Sequence, residues 1–203
     1  MYTLKVIGVC GGSGSGKGEV CRLFSELGIP SIDTDALYHE MTAKRCALTK
    51  ALAARFGEDV LDGSGALCRP RLAKKVFAPG AEDALADLNR IAHAHILAGA
   101  RVWLAECRER GLPAALVDAP LLFESGFDKE CDGTICVTAP VELRIARIME
   151  RDGISRLDAE RRIGAQHSDA YLLERCGYHI VNEGDLSTLQ ARVGEVAQKI
   201  LNM

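Results

Sequence analysis

The segment Val6-Ile7-Gly8-Val9-Cys10-Gly11-Gly12-Ser13-Gly14-Ser15-Gly16-Lys17 constrains the fold of this chain more than any other. A short apolar run breaks into glycines and passes straight into residues with helical spacing, the context that a G-x-x-x-x-G-K phosphate-binding loop requires. A loop that wraps a phosphate must point successive N–H groups inward, at backbone angles that side chains forbid, which is why it is built of glycine. The helix that follows adds the positive end of its dipole. Lys17 supplies a compact charge for the β- and γ-phosphates during transfer. A plain Gly-Ser turn ahead of a helix is the competing reading; strand, spacing and lysine together outweigh it. Gly12, Ser13, Gly14, Ser15, Gly16, Lys17 and Gly18 are therefore the expected nucleotide-binding residues, with Lys17 also catalytic. Gly18 and then Glu19 follow the lysine, where a Ser or Thr hydroxyl is expected to bind magnesium. Glu19 reads first as a dipole-favoured acid in the first helical turn, and second as a contact to the metal shell.

Further short apolar runs, Pro30 to Asp33, Ala114 to Asp118, Thr134 to Val137 and Tyr178 to Val181, are each bounded by Gly, Pro or polar residues and predict buried parallel strands. Between them, Lys17 to Leu27, Val141 to Arg151 and Leu186 to Leu201 carry apolar residues at helical spacing. Strand-then-helix alternation predicts a layered α/β fold. The stretch from about Ala43 to Arg110 breaks the alternation with a long, Ala- and Leu-rich helical pattern, read as an insertion beside the sheet. From Arg144 to Arg175 arginines crowd a helical stretch, and these supply local positive charge.

That local charge matters because the 203-residue chain carries a formal net charge of −3, which offers no general attraction to nucleic acid or anionic lipid. Neither partner is expected. At 48% hydrophobic and 26% charged the chain has ordinary globular usage. It shows no signal-peptide pattern and no membrane-spanning apolar run, so a cytoplasmic protein is expected. Its eight cysteines include no C-x-x-C pair, and reduced, mostly buried thiols are expected. Cys131 and Cys136 are the closest pair and lack a His cluster at ligand spacing, so no metal is expected there.

Taken in order, these motifs resemble the dephospho-coenzyme A kinase family across nearly the whole chain. The loop Gly8 to Lys17 resembles that family's opening segment, and Ile32-Asp33-Thr34-Asp35 resembles its D-A-D segment after the second strand. Arg69-Pro70-Arg71-Leu72, Val76-Phe77 and Ile91-Ala92-His93 match elements of its helical substrate part. Asp118-Ala119-Pro120-Leu121-Leu122-Phe123-Glu124 is similar to its P-L-L-F-E run. Arg147, Arg151-Asp152, Arg162 and Gln166 fall at the spacing of its lid, and Asn182 fits the segment near its fifth strand. The sequence departs from the family at Ala94, where proline is usual, and at Gly177, where aspartate is usual.

The resemblance implies a single three-layer P-loop NTPase core with a parallel sheet, comprising residues 1–42, 111–143 and 176–203. It also implies a helical coenzyme-binding insertion over 43–110 and an arginine-rich helical lid over 144–175. The implied reaction moves a phosphoryl group from ATP, with Mg2+, to the ribose 3′-hydroxyl of dephospho-coenzyme A, by a monomer or weak homo-oligomer. Asp35, just past a predicted strand end, is the expected general base, with a helix N-cap as the bland alternative. Arg147 is the expected catalytic arginine and, with Arg151, an ATP contact; a solvated, salt-bridged helix face is the alternative for each. Asp33, Arg69, His93, Leu121 and Glu124 are expected at the substrate, and Asp33 and Asp118 at magnesium. Two other readings stay open: a nucleoside-monophosphate or other small-metabolite kinase, and a non-catalytic nucleotide-binding regulatory protein suggested by Gly18.

Overall fold

Each predicted strand forms, with bounds that move by at most one residue: β1 (Lys5–Cys10), β2 (Ser31–Asp33), β3 (Ala114–Asp118), β4 (Gly133–Thr138) and β5 (Tyr178–Val181). The computed structural model describes residues 3–203, so residues 1–2 of the expected core lie outside the described residues. The strands make one sheet in the order β2-β3-β1-β4-β5, every pair parallel. β1, β3 and β4 are buried almost throughout, which is why they read as unbroken apolar runs and not as alternation.

Side chains nevertheless divide between the two faces. Ile7, Val9, Ile135 and Val137 pack with Val20, Leu23 and Phe24 of α1 (Lys17–Glu26) and with Leu189, Val193 and Ile200 of α9 (Leu186–Leu201). Gly8 lies on the other face, where a Cβ would come within 2.8 Å of Leu122. The third-strand turn packs there against bare β1 backbone. Helices on both faces of a parallel sheet make the three-layer α/β architecture that the alternation predicts.

The described residues up to Asp33, together with Leu104–Met203, form one compact unit, and Thr34–Trp103 form a second. The second unit contains α2 (Thr34–Thr42), α3 (Ala47–Phe56), α4 (Arg69–Val76) and most of α5 (Glu82–Glu109). It has its own core of Leu48, Leu52, Phe56, Val60, Leu72 and Val76. The Asp62-Gly63-Ser64-Gly65 interruption is a turn held by the Asp62 carboxylate, which accepts from the Ser64 amide at 2.8 Å and the Ser64 hydroxyl at 2.6 Å. No helix among the described residues is long and apolar enough to cross a membrane.

The arginine-rich stretch is built of α6 (Val141–Asp152), α7 (Arg156–Gly164) and α8 (Asp169–Arg175). Ser155 and Ser168 cap α7 and α8, each accepting a backbone N–H three residues on. α6 buries Arg144, Ile145 and Ile148 along one stripe.

Candidate active site

The strand order reverses at β1, whose neighbours β3 and β4 continue toward opposite edges, and open α/β sheets take their ligands at the carboxyl ends of strands at such a point. Residues 11–16 leave β1 there and lead into α1. Gly14 and Gly16 adopt φ of +76° and +88°, conformations that L side chains rarely populate. Space forbids side chains as well: a Cβ at Gly14 would fall 2.6 Å from the Arg144 carbonyl, and one at Gly16 would strike the Asn182 amide.

Three side chains hold the loop's carbonyls. Arg144 Nε donates to Ser13 O at 2.9 Å, an Arg147 guanidinium N–H to Gly14 O at 3.2 Å and Asn182 Nδ2 to Ser15 O at 2.8 Å. In a planar trans peptide the C=O and the following N–H point opposite ways. Anchoring the Ser13 and Ser15 carbonyls therefore turns the Gly14 and Gly16 amides to the other side, as an anion cradle requires. Lys17 Nζ folds back onto Gly11 O at 3.1 Å. The Ser15 hydroxyl is buried without a hydrogen-bond partner among the described residues, and a Cβ on Gly11 would meet it at 3.0 Å. It is an orphaned polar atom inside the cradle, and it fits a ligand rich in acceptors. Asn182→Ala leaves the buried Ser15 carbonyl unanchored; nucleotide affinity is expected to fall about tenfold at unchanged fold, read by calorimetric titration.

Asp33 and Asp118 are register partners on adjacent strands, and Asp118 is also paired in register with Val9, the penultimate residue of β1. The two acids thus end their strands in one row beside the loop, Asp118 buried and Asp33 exposed. Hard carboxylate oxygens so placed suit a divalent cation such as magnesium. At Gly18 a Cβ would meet nothing within 4 Å, so the missing hydroxyl is a matter of sequence and not of space. Glu19 is engaged by Arg22 at 2.7 and 3.0 Å, and that partnership holds its carboxyl below the usual value. Asp35 lies in the second compact unit, in the first turn of α2 and not at its cap, because the helix begins at Thr34.

Two cavities flank the loop. One, of about 300 Å³, is lined by Gly16, Glu19, Arg147, Asn182, Asp185 and Leu189 among others. The other, of about 240 Å³, brings Leu121 and Glu124 together with Gly11, Gly12, Gln166 and His167. Gln166 Oε1 accepts from Ser13 N at 2.8 Å. His167 Nε2 sits 3.0 Å from Glu124 and its ring stacks on Tyr171 at 4.1 Å.

Arg147 bridges Gly14 O to Asn182 Oδ1 at 3.4 Å, whereas Arg151 is exposed and pairs with Asp152 through Nε at 2.7 Å and a terminal N–H at 2.8 Å. Arg151 first, and then Arg162, hold the Asp152 carboxyl down to about 2. A depressed folded-state value means stabilisation that is present above the ordinary aspartate value of 3.8 and lost as pH falls toward 2. Thermal midpoints measured between pH 5 and 2 are expected to drop more steeply in wild type than in Asp152→Asn. Arg69 and His93 lie in the second unit, Arg69 exposed and bonded to His39 Nδ1, His93 half-buried on α5.

Sequence reasoning missed the roles of Arg144 and His167. Arg144 is 3% exposed and also bonds Asp169 at 3.0 Å. Its signal was available, since it stands four residues before Ile148 on the buried stripe of α6, where an arginine needs a partner. His167 carried no such signal, because its partner Glu124 comes from another part of the chain.

A parallel sheet in this order, whose central strand opens into a lysine-bearing glycine loop, defines the chain as an α/β protein of the P-loop kinase class. A shikimate kinase from Acinetobacter baumannii shares this fold at 20% identity, with a TM-score of 0.53 over 99% of this chain and 95% of that one. The family model described as dephospho-CoA kinase matches residues 5–188. A dephospho-CoA kinase from Latilactobacillus sakei is 34% identical over 96% of this chain and 95% of its own length, and one from Moorella thermoacetica is 37% identical over 96% and 92%. Among solved structures, a Thermus thermophilus protein is 29% identical over 98% of each chain with a TM-score of 0.78. A dephospho-CoA kinase from Campylobacter jejuni, 24% identical, gives a TM-score of 0.71 over 99% of this chain and 100% of that one. The chain belongs to the dephospho-CoA kinase family.

Proposed function

We propose that this chain phosphorylates the ribose 3′-hydroxyl of dephospho-coenzyme A with ATP, giving coenzyme A and ADP. The observation that carries the reading is the loop itself, with its Ser13, Gly14 and Ser15 carbonyls bonded to the side chains of Arg144, Arg147 and Asn182 and Lys17 folded back onto Gly11 O, in a chain of this family. Residues 12–18 hold the phosphates of ATP through loop amides and Lys17, and Arg147 and Arg151 serve its phosphates from the lid segment 144–175. Charge spreads over the transferring group's oxygens, so preorganised donors lower the barrier without having to reorganise. Asp35 takes the proton of the attacking hydroxyl. Leu121 and Glu124, with Arg69 and His93 on the helical part, bind the acceptor.

Asp33 and Asp118 hold Mg2+ in this reading, Asp33 also meeting substrate. The cation neutralises β- and γ-phosphate oxygens when bound. With no hydroxyl at Gly18, the two carboxylates carry the protein's share of its ligation. The working unit is a cytoplasmic monomer or weak homo-oligomer, with core residues 1–42, 111–143 and 176–203 and a coenzyme-binding insertion at 43–110.

ATP consumption by the purified chain with magnesium, compared across dephospho-coenzyme A, AMP, adenosine and no acceptor, tests the reading. A product one phosphoryl group heavier that forms only with dephospho-coenzyme A is expected. Turnover confined to another acceptor, or nucleotide binding with no product, would discard it.

A further inference from the structure

Cys10, Cys136 and Cys176 stand apart from the other thiols of the chain. All three are buried, and their Sγ atoms lie within 4.8 Å of one another, with Cys10 and Cys176 separated by 3.4 Å. Three different segments deliver them. Cys10 ends β1, Cys136 is its register partner in β4, and Cys176 follows α8 directly. Their strand neighbours Val9, Ile135 and Val137 point into the core beneath α1 and α9, so Cys10 and Cys136 project from the opposite face, where α8 packs on β4. A buried cysteine taken singly is adequately explained as a small hydrophobe. That account gives no reason for three sulfurs from distant segments to converge on one point.

We propose that these three sulfurs form a binding site for a soft univalent metal ion, Cu(I), beneath the phosphate loop. Ligand chemistry selects the class of ion, because thiolates favour soft d10 cations over the hard cations that oxygen donors hold. Metal–sulfur bonds of about 2.3 Å place ligand sulfurs about 3.8 to 4.0 Å apart, so the separations here need adjustments of no more than about 1 Å. Coordination number selects within the class. Among the described residues no fourth His, Cys, Asp or Glu ligand atom joins the group. Structural zinc takes four protein ligands, whereas Cu(I) is content with three.

Ligation replaces each S–H by an S–metal bond and releases one proton per ligating thiol to solvent, with no electron transferred. Cys10 immediately precedes Gly11, so the ion ties the root of the phosphate loop to β4 and to the end of α8. The inference is independent of which acceptor the enzyme uses.

The test is an anaerobic titration of the full, reduced, metal-free chain with Cu(I) presented by a competing chromophoric chelator, with the metal's shell read by X-ray absorption. One ion per chain and a shell of three sulfurs are expected. Cys136→Ser and Cys176→Ser, checked for native circular dichroism, are each expected to weaken uptake by more than about tenfold. Cys46→Ser and Cys68→Ser, outside the cluster, leave it unchanged. Uptake below one equivalent, undiminished uptake in both cluster variants, or nitrogen and oxygen in the shell overturns the proposal. If the serine variants do not fold, the stoichiometry and shell of the wild-type protein decide it alone.

Discussion

Lys17→Ala is expected to lower turnover by at least about 10³-fold, close to the limit of detection, while the protein stays folded. The two halves of that expectation have separate grounds. Structurally, Lys17 opens α1 but contributes nothing to its buried face, which consists of Val20, Cys21, Leu23 and Phe24, and alanine is a better helix former than lysine. Chemically, its ammonium lies 3.1 Å from Gly11 O at the root of the loop, and no other lysine lies in or next to residues 11–18. Removing a preorganised charge from the place where negative charge redistributes takes away stabilisation that is larger in the transition state than in the ground state. The loss should therefore fall mainly on kcat. Steady-state kinetics with thermal melting as a control checks this; a kcat within tenfold of wild type would remove Lys17 from the catalytic role.

Asp35→Asn is expected to lower kcat by about a hundredfold or more, with little change in the apparent affinity for the acceptor. The amide keeps the shape of the carboxyl and loses its negative charge together with its capacity to take a proton. Position offers a competing explanation, since an acid in the first turn of α2 interacts favourably with the helix dipole by roughly 0.3–1 kcal/mol. The two accounts differ in what they leave intact. A dipole role predicts a slightly less stable protein with normal kcat, and a base role predicts a nearly unchanged melting temperature with a collapsed kcat. Measuring both on one preparation separates them.

The fate of the arginines shows where reading the chain alone reached its limit. Arg144, Arg147 and Arg151 were equally visible as a cationic stretch, yet they end in three environments: buried against Ser13 O, bridging Gly14 O to Asn182, and paired at the surface with Asp152. Helical spacing predicts which face a residue shares but not what that face meets. Glu124 and His167 illustrate the same limit. The run ending in Glu124 was noticed as a motif, and His167 carried no signal until the fold placed its ring 3.0 Å from that carboxylate.

What the sequence determined by itself was everything that depends on neighbours along the chain. Continuous apolar runs located the five strands to within a residue, three- and four-residue periodicity located α1, α6 and α9, and glycine spacing announced a phosphate loop, because backbone sterics and solvent exposure act over only a few residues. The tertiary structure alone decided the strand order β2-β3-β1-β4-β5. It also decided the pairing in register of Asp33 with Asp118, the anchoring of the loop by residues 131 and 167 positions away, and the meeting of Cys10 with Cys176 across 166 positions. Such contacts are settled when crossover connections bring distant segments together in one packed arrangement, and a local pattern holds no record of which distant partner it will meet.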